Sequence, residues 1–202
     1  MSGELSALYA AETERLKAVA LSGRNDGEYL RPVFGCGNAD SPIVFIGEAP
    51  GANETEQGTP FVGKAGRQLD ELLELADIPR KEIFITNVVK YRPVVRSERS
   101  VRNRTPSAGE VTASLPLLRA EMERIRPRLI ITLGNTPLTA VRTLAGELPA
   151  TVGDVHGRPL PVSLGGIRTV LYPMYHPASG IYNRTLIEVM REDAKKIRDI
   201  VF

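Results

Sequence analysis

Residues 47–66 read GEAPGANETEQGTPFVGKAG, and this stretch constrains the chain more than any other. Five glycines (Gly47, Gly51, Gly58, Gly63, Gly66) and two prolines (Pro50, Pro60) fix an unusual backbone path and let a ligand approach the main chain closely. Before it, Ile43, Val44, Phe45 and Ile46 form a short apolar run that reads as a buried strand. After it, residues 67–73 have helical spacing. The stretch is therefore a loop at the carboxyl end of a strand, opening a helix, which is where open α/β sheets bind ligands. Two carboxylates, Glu48 and Glu54, and one aromatic, Phe61, are embedded in it.

The rest of the chain alternates. A helix is expected over residues 4–21, with Leu5, Leu8, Leu16, Val19 and Leu21 roughly on one face, and then a loop over 22–41 with a short strand near Val33 and Phe34. Buried strands are expected at 42–46, 82–89, 128–133 and 169–172. Helices are expected near 66–76, from 107 to about 126, at 137–144 and at 186–201, with an edge hairpin around 162–168. Ser107 and Glu110 have the spacing of a capping box, and Pro116 marks a kink or a break. The fold class is α/β: a three-layer α/β/α sandwich with a central, mostly parallel four-stranded sheet. The 202 residues suit a single domain, with residues 1–25 as an N-terminal helix packed on it and 90–106 as a basic loop insertion.

Composition narrows the class further. The chain is 42% hydrophobic and 25% charged, as soluble globular proteins are. It holds no apolar run of about 18 residues, so no membrane helix is expected. The N-terminus is charged and amphipathic, unlike a signal peptide. A single cysteine, Cys36, excludes an internal disulfide and any all-cysteine metal site, and fits a reducing cytoplasm.

Three strand ends deliver polar loops to one edge: Glu48, Glu54 and Phe61 from the first, Asn87 from the second, His176 from the fourth. Each residue has a bland alternative. Phe61 is either a core residue or a platform for an aromatic ring, where base stacking is worth about 1–3 kcal/mol. Asn87 either closes a turn or offers an amide donor pair and acceptor to the edge of a nucleobase. His176 is either held by backbone or donates into a pocket. Glu48 and Glu54 are solvated charges, or they position or deprotonate a water. The second histidine, His156, sits in a loop and reads as structural. The stretch after Lys90 carries Arg92, Arg96, Arg99, Arg102 and Arg104 against one acid, Glu98. That is either a solvated face or an electrostatic footprint for a nucleic-acid backbone.

The motifs GEAPG…PFVGKAG, TNVVKYRP, NRTP, LGN and YHP, in this order, resemble the uracil-DNA glycosylase superfamily, and most closely its family 4. The resemblance covers roughly residues 33–184. It implies that Phe61 stacks on a flipped uracil, that Asn87 reads the edge separating uracil from cytosine, and that His176 donates to the uracil O2. It implies that Glu54 lines the site near uracil C5, and that Glu48, Ala49 and Gly51 contact the base or the attacking water. Ile181 and Tyr182 would press into the duplex where the base leaves, and the arginines would hold DNA. Two departures stand out. The superfamily's classical enzymes carry an aspartate where this chain has Ala49, so the base role falls to Glu48, Glu54 or no residue. Family 4 members usually hold an iron–sulfur cluster, but Tyr91 and Ser114 stand at two of its cysteine positions and the N-terminal pair has no counterpart. No cluster and no other cofactor are therefore expected, with packing around Tyr91 in its place. The loop before Asn103 is longer than usual and resembles that of a branch that traps uracil through a histidine; with Asn103 in the corresponding VRNRTP region, such capture is not expected.

The expected protein is thus a monomeric, cytoplasmic hydrolase that removes uracil from single- or double-stranded DNA and leaves an abasic site. A same-fold enzyme for hypoxanthine or xanthine is the first rival. A non-catalytic module that binds DNA or a nucleotide is the second, motivated by Ala49.

Overall fold

Strands with no exposed residue need cover on both faces, and three segments meet that description: Ile43–Gly47, Phe84–Asn87 and Leu129–Leu133. They lie at the centre of a computed structural model that describes residues 3–201, the side chains of Ile181, Tyr182 and Val201 excepted. The elements in chain order are α1 (Gly3–Leu21), β1 (Cys36–Gly37), β2 (Ile43–Gly47), α2 (Ala52–Gln57), α3 (Lys64–Leu75), a 3-10 turn (Arg80–Glu82), β3 (Phe84–Asn87), β4 (Val94–Ser97), β5 (Ser100–Asn103), α4 (Ala108–Ile125), β6 (Leu129–Leu133), α5 (Asn135–Ala145), α6 (Val152–Val155), β7 (Leu160–Leu164), β8 (Ile167–Met174), α7 (Pro177–Tyr182) and α8 (Arg184–Val201).

Alternation along β2 separates two cores. Val44 and Ile46 pack with Leu5 and Leu16 of α1, Leu118 and Met122 of α4, and Leu138 and Val141 of α5. Ile43 and Phe45 pack with Leu69 and Leu73 of α3 and with Met190, Ala194 and Ile197 of α8. Helices thus cover both faces, giving the three expected layers.

The main sheet has six strands in the order β1-β3-β2-β6-β8-β7. The four expected strands are its parallel core, β3, β2, β6 and β8. Antiparallel strands close both edges: β1 on β3, and β7 on β8 as the expected edge hairpin. From β2 the chain first places β3 on one side and later β6 on the other. The carboxyl end of β2 is therefore a topological switch point, the position where such sheets open a crevice.

Four local expectations change. The short edge strand lies at Cys36 and Gly37, beyond Val33 and Phe34. Leu21 is exposed at the end of α1 and does not join the apolar face. Helix α4 runs through Pro116 without a break. The basic stretch over 90–106 is no open loop, because β4 and β5 pair as an antiparallel hairpin. That hairpin is stitched to the segment after α1: Val94 N donates to Asp26 O, Glu28 N to Arg92 O and Arg96 Nε to Asn25 O, each at 2.9 Å.

Candidate active site

The loops after β2, β3 and β8 meet around a cavity of about 400 Å³ whose wall includes Glu48, Ala49, Gly51, Glu54, Phe61, Asn87 and His176. The three residues expected to converge do so. Phe61 and His176 lie 6.2 Å apart between ring centroids, inclined by 29°. Gly47 lets Asn87 and Phe61 close in beside it: a Cβ there would fall 2.3 Å from Asn87 Oδ1 and 2.6 Å from the Phe61 ring.

Phe61 is held against its own backbone preference. Its φ is +55°, a left-handed value that a bulky side chain rarely adopts. Its carbonyl accepts from Arg80 Nη2 at 3.0 Å, and Arg80 is tied to Asp70 at 2.6 Å. A Cβ on Gly66 would overlap that carbonyl at 2.0 Å, so the turn requires glycine there. Arg80 was not among the expected site residues; it is remote in sequence and carries no motif.

Asn87 is 3% exposed, and its side-chain amide takes no partner among the described residues. Its donors and its acceptor are free for a ligand. His176 caps α7, and its Nδ1 accepts the Ala178 N–H at 3.1 Å. An Nδ1 that accepts leaves the proton on Nε2. Burial pushes the His176 imidazole below its ordinary value, and the negative charge of Glu54 only partly opposes this. His176 is therefore a neutral donor.

The two glutamates differ. Glu54 spends both oxygens on main chain: Oε2 accepts from Gly51 N at 3.1 Å, and Oε1 accepts from Val62 N at 3.1 Å and Gly63 N at 2.8 Å. These bonds start α2, an element that the sequence pattern does not predict, and knot the loop around the cavity. Glu48 accepts one bond, from Thr136 Oγ1 at 2.5 Å, and lies between this cavity and a neighbouring one beside Gly134. Thr136 follows the LGN motif, whose contribution to the site sequence reasoning missed.

The arginines divide as well. Arg104 grips both oxygens of Glu110 at 2.6 and 2.8 Å and reaches Asp26 O at 2.8 Å. Arg92 donates to Asn103 Oδ1 at 2.6 Å and pairs with Glu28. These two fasten the hairpin, with their charge already met by acids. Arg96, Arg99 and Arg102 are exposed on the hairpin. Ile181 and Tyr182 close α7, and their side chains lie outside the described residues. His156 meets the expectation of a structural histidine: its Nδ1 lies 2.6 Å from the buried carboxylate of Asp193.

A stacking ring, a free amide and a neutral imidazole around one cavity can grip a flat heterocycle whose edge bears carbonyl and N–H groups. They sit at the switch point of a parallel α/β sheet, the arrangement of a base-binding enzyme. The family model of the uracil DNA glycosylase superfamily matches residues 34–198, and the chain belongs to that superfamily. It is 38% identical to the type-4 uracil-DNA glycosylase of Saccharolobus solfataricus, over 83% of this chain and 74% of that one. It is 41% identical to the type-4 enzyme of Pyrobaculum aerophilum, over 73% and 71% of the two chains. To that of Thermotoga maritima it is 37% identical, over 84% and 82%.

The iron–sulfur cluster that the resemblance to family 4 implies does not fit these residues. Tyr91 donates its hydroxyl to Glu110 at 2.9 Å, and its ring lies 4.5 Å from that of Tyr29. Ser114 Oγ donates to Glu110 O. A Cβ on Gly27 would already fall 2.8 to 2.9 Å from the two tyrosine rings, so the space is filled.

Proposed function

We propose that this chain hydrolyses the N-glycosidic bond between uracil and deoxyribose in DNA, leaving an abasic site. The observation that carries this reading is the meeting of Phe61, Asn87 and His176 around one cavity. A paired base cannot reach such a slot, so it must be turned out of the stack, at a cost of a few kcal/mol. The extruded base would stack on Phe61, and Asn87 would donate to O4 and accept from N3–H. Cytosine reverses both of those groups and would leave the amide mismatched.

As the C1′–N1 bond breaks, its electron pair moves to the base and charge builds on O2. The His176 Nε2–H points a fixed dipole there without a charge of its own, which is the form of stabilisation that contributes most in such sites. Water adds to C1′, and its proton passes to Glu48, whose carboxylate Thr136 orients. Glu54 braces the loop instead of acting as the base, because both of its oxygens are engaged. The exposed Arg96, Arg99 and Arg102 would meet phosphates, with Ile181 and Tyr182 at the vacated step of the duplex. We further propose that the chain acts as one domain, as a monomer and in the cytoplasm. No helix of the described residues is long and apolar enough to cross a membrane.

The test is alkaline strand scission of single- and double-stranded oligonucleotides carrying uracil, with inosine and xanthosine oligonucleotides in parallel. Scission at uracil by the wild type, abolished by His176→Ala with Asn87→Ala, is expected. Scission only at a deaminated purine would move the substrate assignment, and salt-dependent binding without product would favour a non-catalytic module.

A further inference from the structure

Lys90 carries a charge where none should be: its side chain is 0% exposed, and so is that of the Glu121 it faces at 2.7 Å. A lysine is almost never fully buried unless paired. Its three protons are all committed, to Glu121 Oε2 and Thr86 Oγ1 at 2.7 Å each and to the backbone oxygen of Asn87 at 2.5 Å. Glu121, on α4, also accepts from the Tyr9 hydroxyl of α1 at 2.8 Å and from Thr86. The backbone of Lys90 is fixed too, its carbonyl accepting from Val33 N at 2.6 Å. Val88 and Val89, between Asn87 and Lys90, donate to the carbonyls of Gly47 and Glu48. Burial pulls the Lys90 ammonium below its ordinary value, and the facing carboxylate works against that.

We propose that Lys90, held by Glu121, is a positioning residue that sets the direction of the Asn87 amide and with it the choice between uracil and cytosine. This rests on the function proposed above. Asn87 is the last residue of β3, and the peptide plane that follows it is held on two sides: the Val88 N–H donates to Gly47 O, and the Asn87 carbonyl accepts from the Lys90 ammonium. Without the ammonium the carbonyl side loses its anchor, and a shift of the Asn87 backbone carries with it the side-chain amide, whose own atoms have no partner among the described residues. Buried ion pairs are poor sources of stability relative to apolar side chains of the same volume, but they can fix one geometry among several. Tyr9 and Thr86 complete the acceptors and donors of the pair, so α1, α4 and β3 meet on the residue that precedes the base-reading loop.

Removing one partner leaves a bare buried charge, and that variant can fail to fold. The experiment therefore uses Lys90→Met with Glu121→Met, which removes both charges and keeps the volume. Single-turnover excision at saturating enzyme is measured on uracil and cytosine oligonucleotides in the wild type, the double variant, Asn87→Ala, and all three changes together. The double variant is expected to melt as a cooperative fold, at a temperature lowered by the partners that Tyr9, Thr86 and the Asn87 carbonyl lose, and to narrow the uracil-to-cytosine ratio about tenfold or more. With Asn87→Ala already present, the same two changes should leave the ratio where it is. In parallel, the 15N side-chain amide resonances of Asn87, assigned by their loss in Asn87→Ala, are expected to be sharp and dispersed in the wild type. In the double variant they should broaden or move toward solvent-exposed values. This arm reads Asn87 even if the wild type excises nothing, an outcome that would sink the functional reading alone. A folded double variant with unchanged Asn87 resonances overturns the proposal. So does an undiminished ratio, or an equal loss in both Asn87 backgrounds.

Discussion

Thr136 donates its hydroxyl to the Glu48 carboxylate across 2.5 Å, tying the loop after β6 to the loop after β2. The bond spans 88 residues of sequence and joins two loops that become neighbours only on folding. It leaves one carboxylate oxygen for a water and fixes where that oxygen points. Thr136→Val keeps the shape of the side chain and deletes the donor. Turnover is expected to fall about tenfold with little change in KM, since misorientation costs the transition state more than binding. Thr136→Ser should restore most of the rate. Steady-state kinetics on a uracil oligonucleotide read both.

Glu54→Gln tests the bracing role. One amide cannot accept from three N–H groups as a carboxylate does, and its NH2 would face donors. Each unmet buried N–H costs about 1–3 kcal/mol. The expected result is a lower melting temperature by calorimetry and a raised KM. A glutamate acting as general base would instead give a collapse of kcat on an unchanged fold.

The acid limb of the pH profile belongs in part to His176. Its folded-state pKa lies below its ordinary value, so the unfolded chain takes up the proton first as pH falls. The stability from the neutral ring is complete above about pH 6.5 and is lost on descent through the lower folded value. Protonation also ends acceptance from Ala178 N. Excision and melting temperature are both expected to drop in that window. The melting-temperature change over the same window should be smaller in His176→Asn, which cannot titrate.

The hairpin arginines are expected to separate into two classes. Arg96→Ala, Arg99→Ala and Arg102→Ala together should reduce the salt dependence of duplex binding, by a slope of about 0.9 for each phosphate no longer neutralised. Arg104→Met should act on the fold instead. Burial pushes Glu110 up, but bonds from Arg104, Ser107 and Tyr91 outweigh it and hold its pKa at about 2. That stability is present above the ordinary carboxylate value and disappears as pH falls toward 2. Acid titration followed by circular dichroism should show Arg104→Met unfolding at higher pH than the wild type.

These residues mark how far sequence reasoning reaches. The four parallel strands were legible because each centres on a short cluster of apolar, β-branched or aromatic residues, and the pocket because three of their carboxyl ends carry polar residues. The hairpin was hidden: residues 94–103 alternate no apolar face, and Ser97, Glu98, Arg99 and Ser100 turn without glycine or proline. α2 was hidden because its nucleus is a side chain, Glu54, closing on Gly51. Arg92 and Arg104 read as free charges because their acids, Glu28, Asp26 and Glu110, become neighbours only on folding. The burial of Lys90 is illegible for the same reason, since nothing local to it announces Glu121.

The ring at position 61 rests on a backbone that only its neighbours make tolerable, with Gly66 beneath it and Arg80 gripping its carbonyl. The contacts that hold this turn come from within the chain and need no ligand. On the function proposed above, the support of the ring is therefore settled once, at folding, and a visiting base meets a shelf whose footing does not have to be assembled for it.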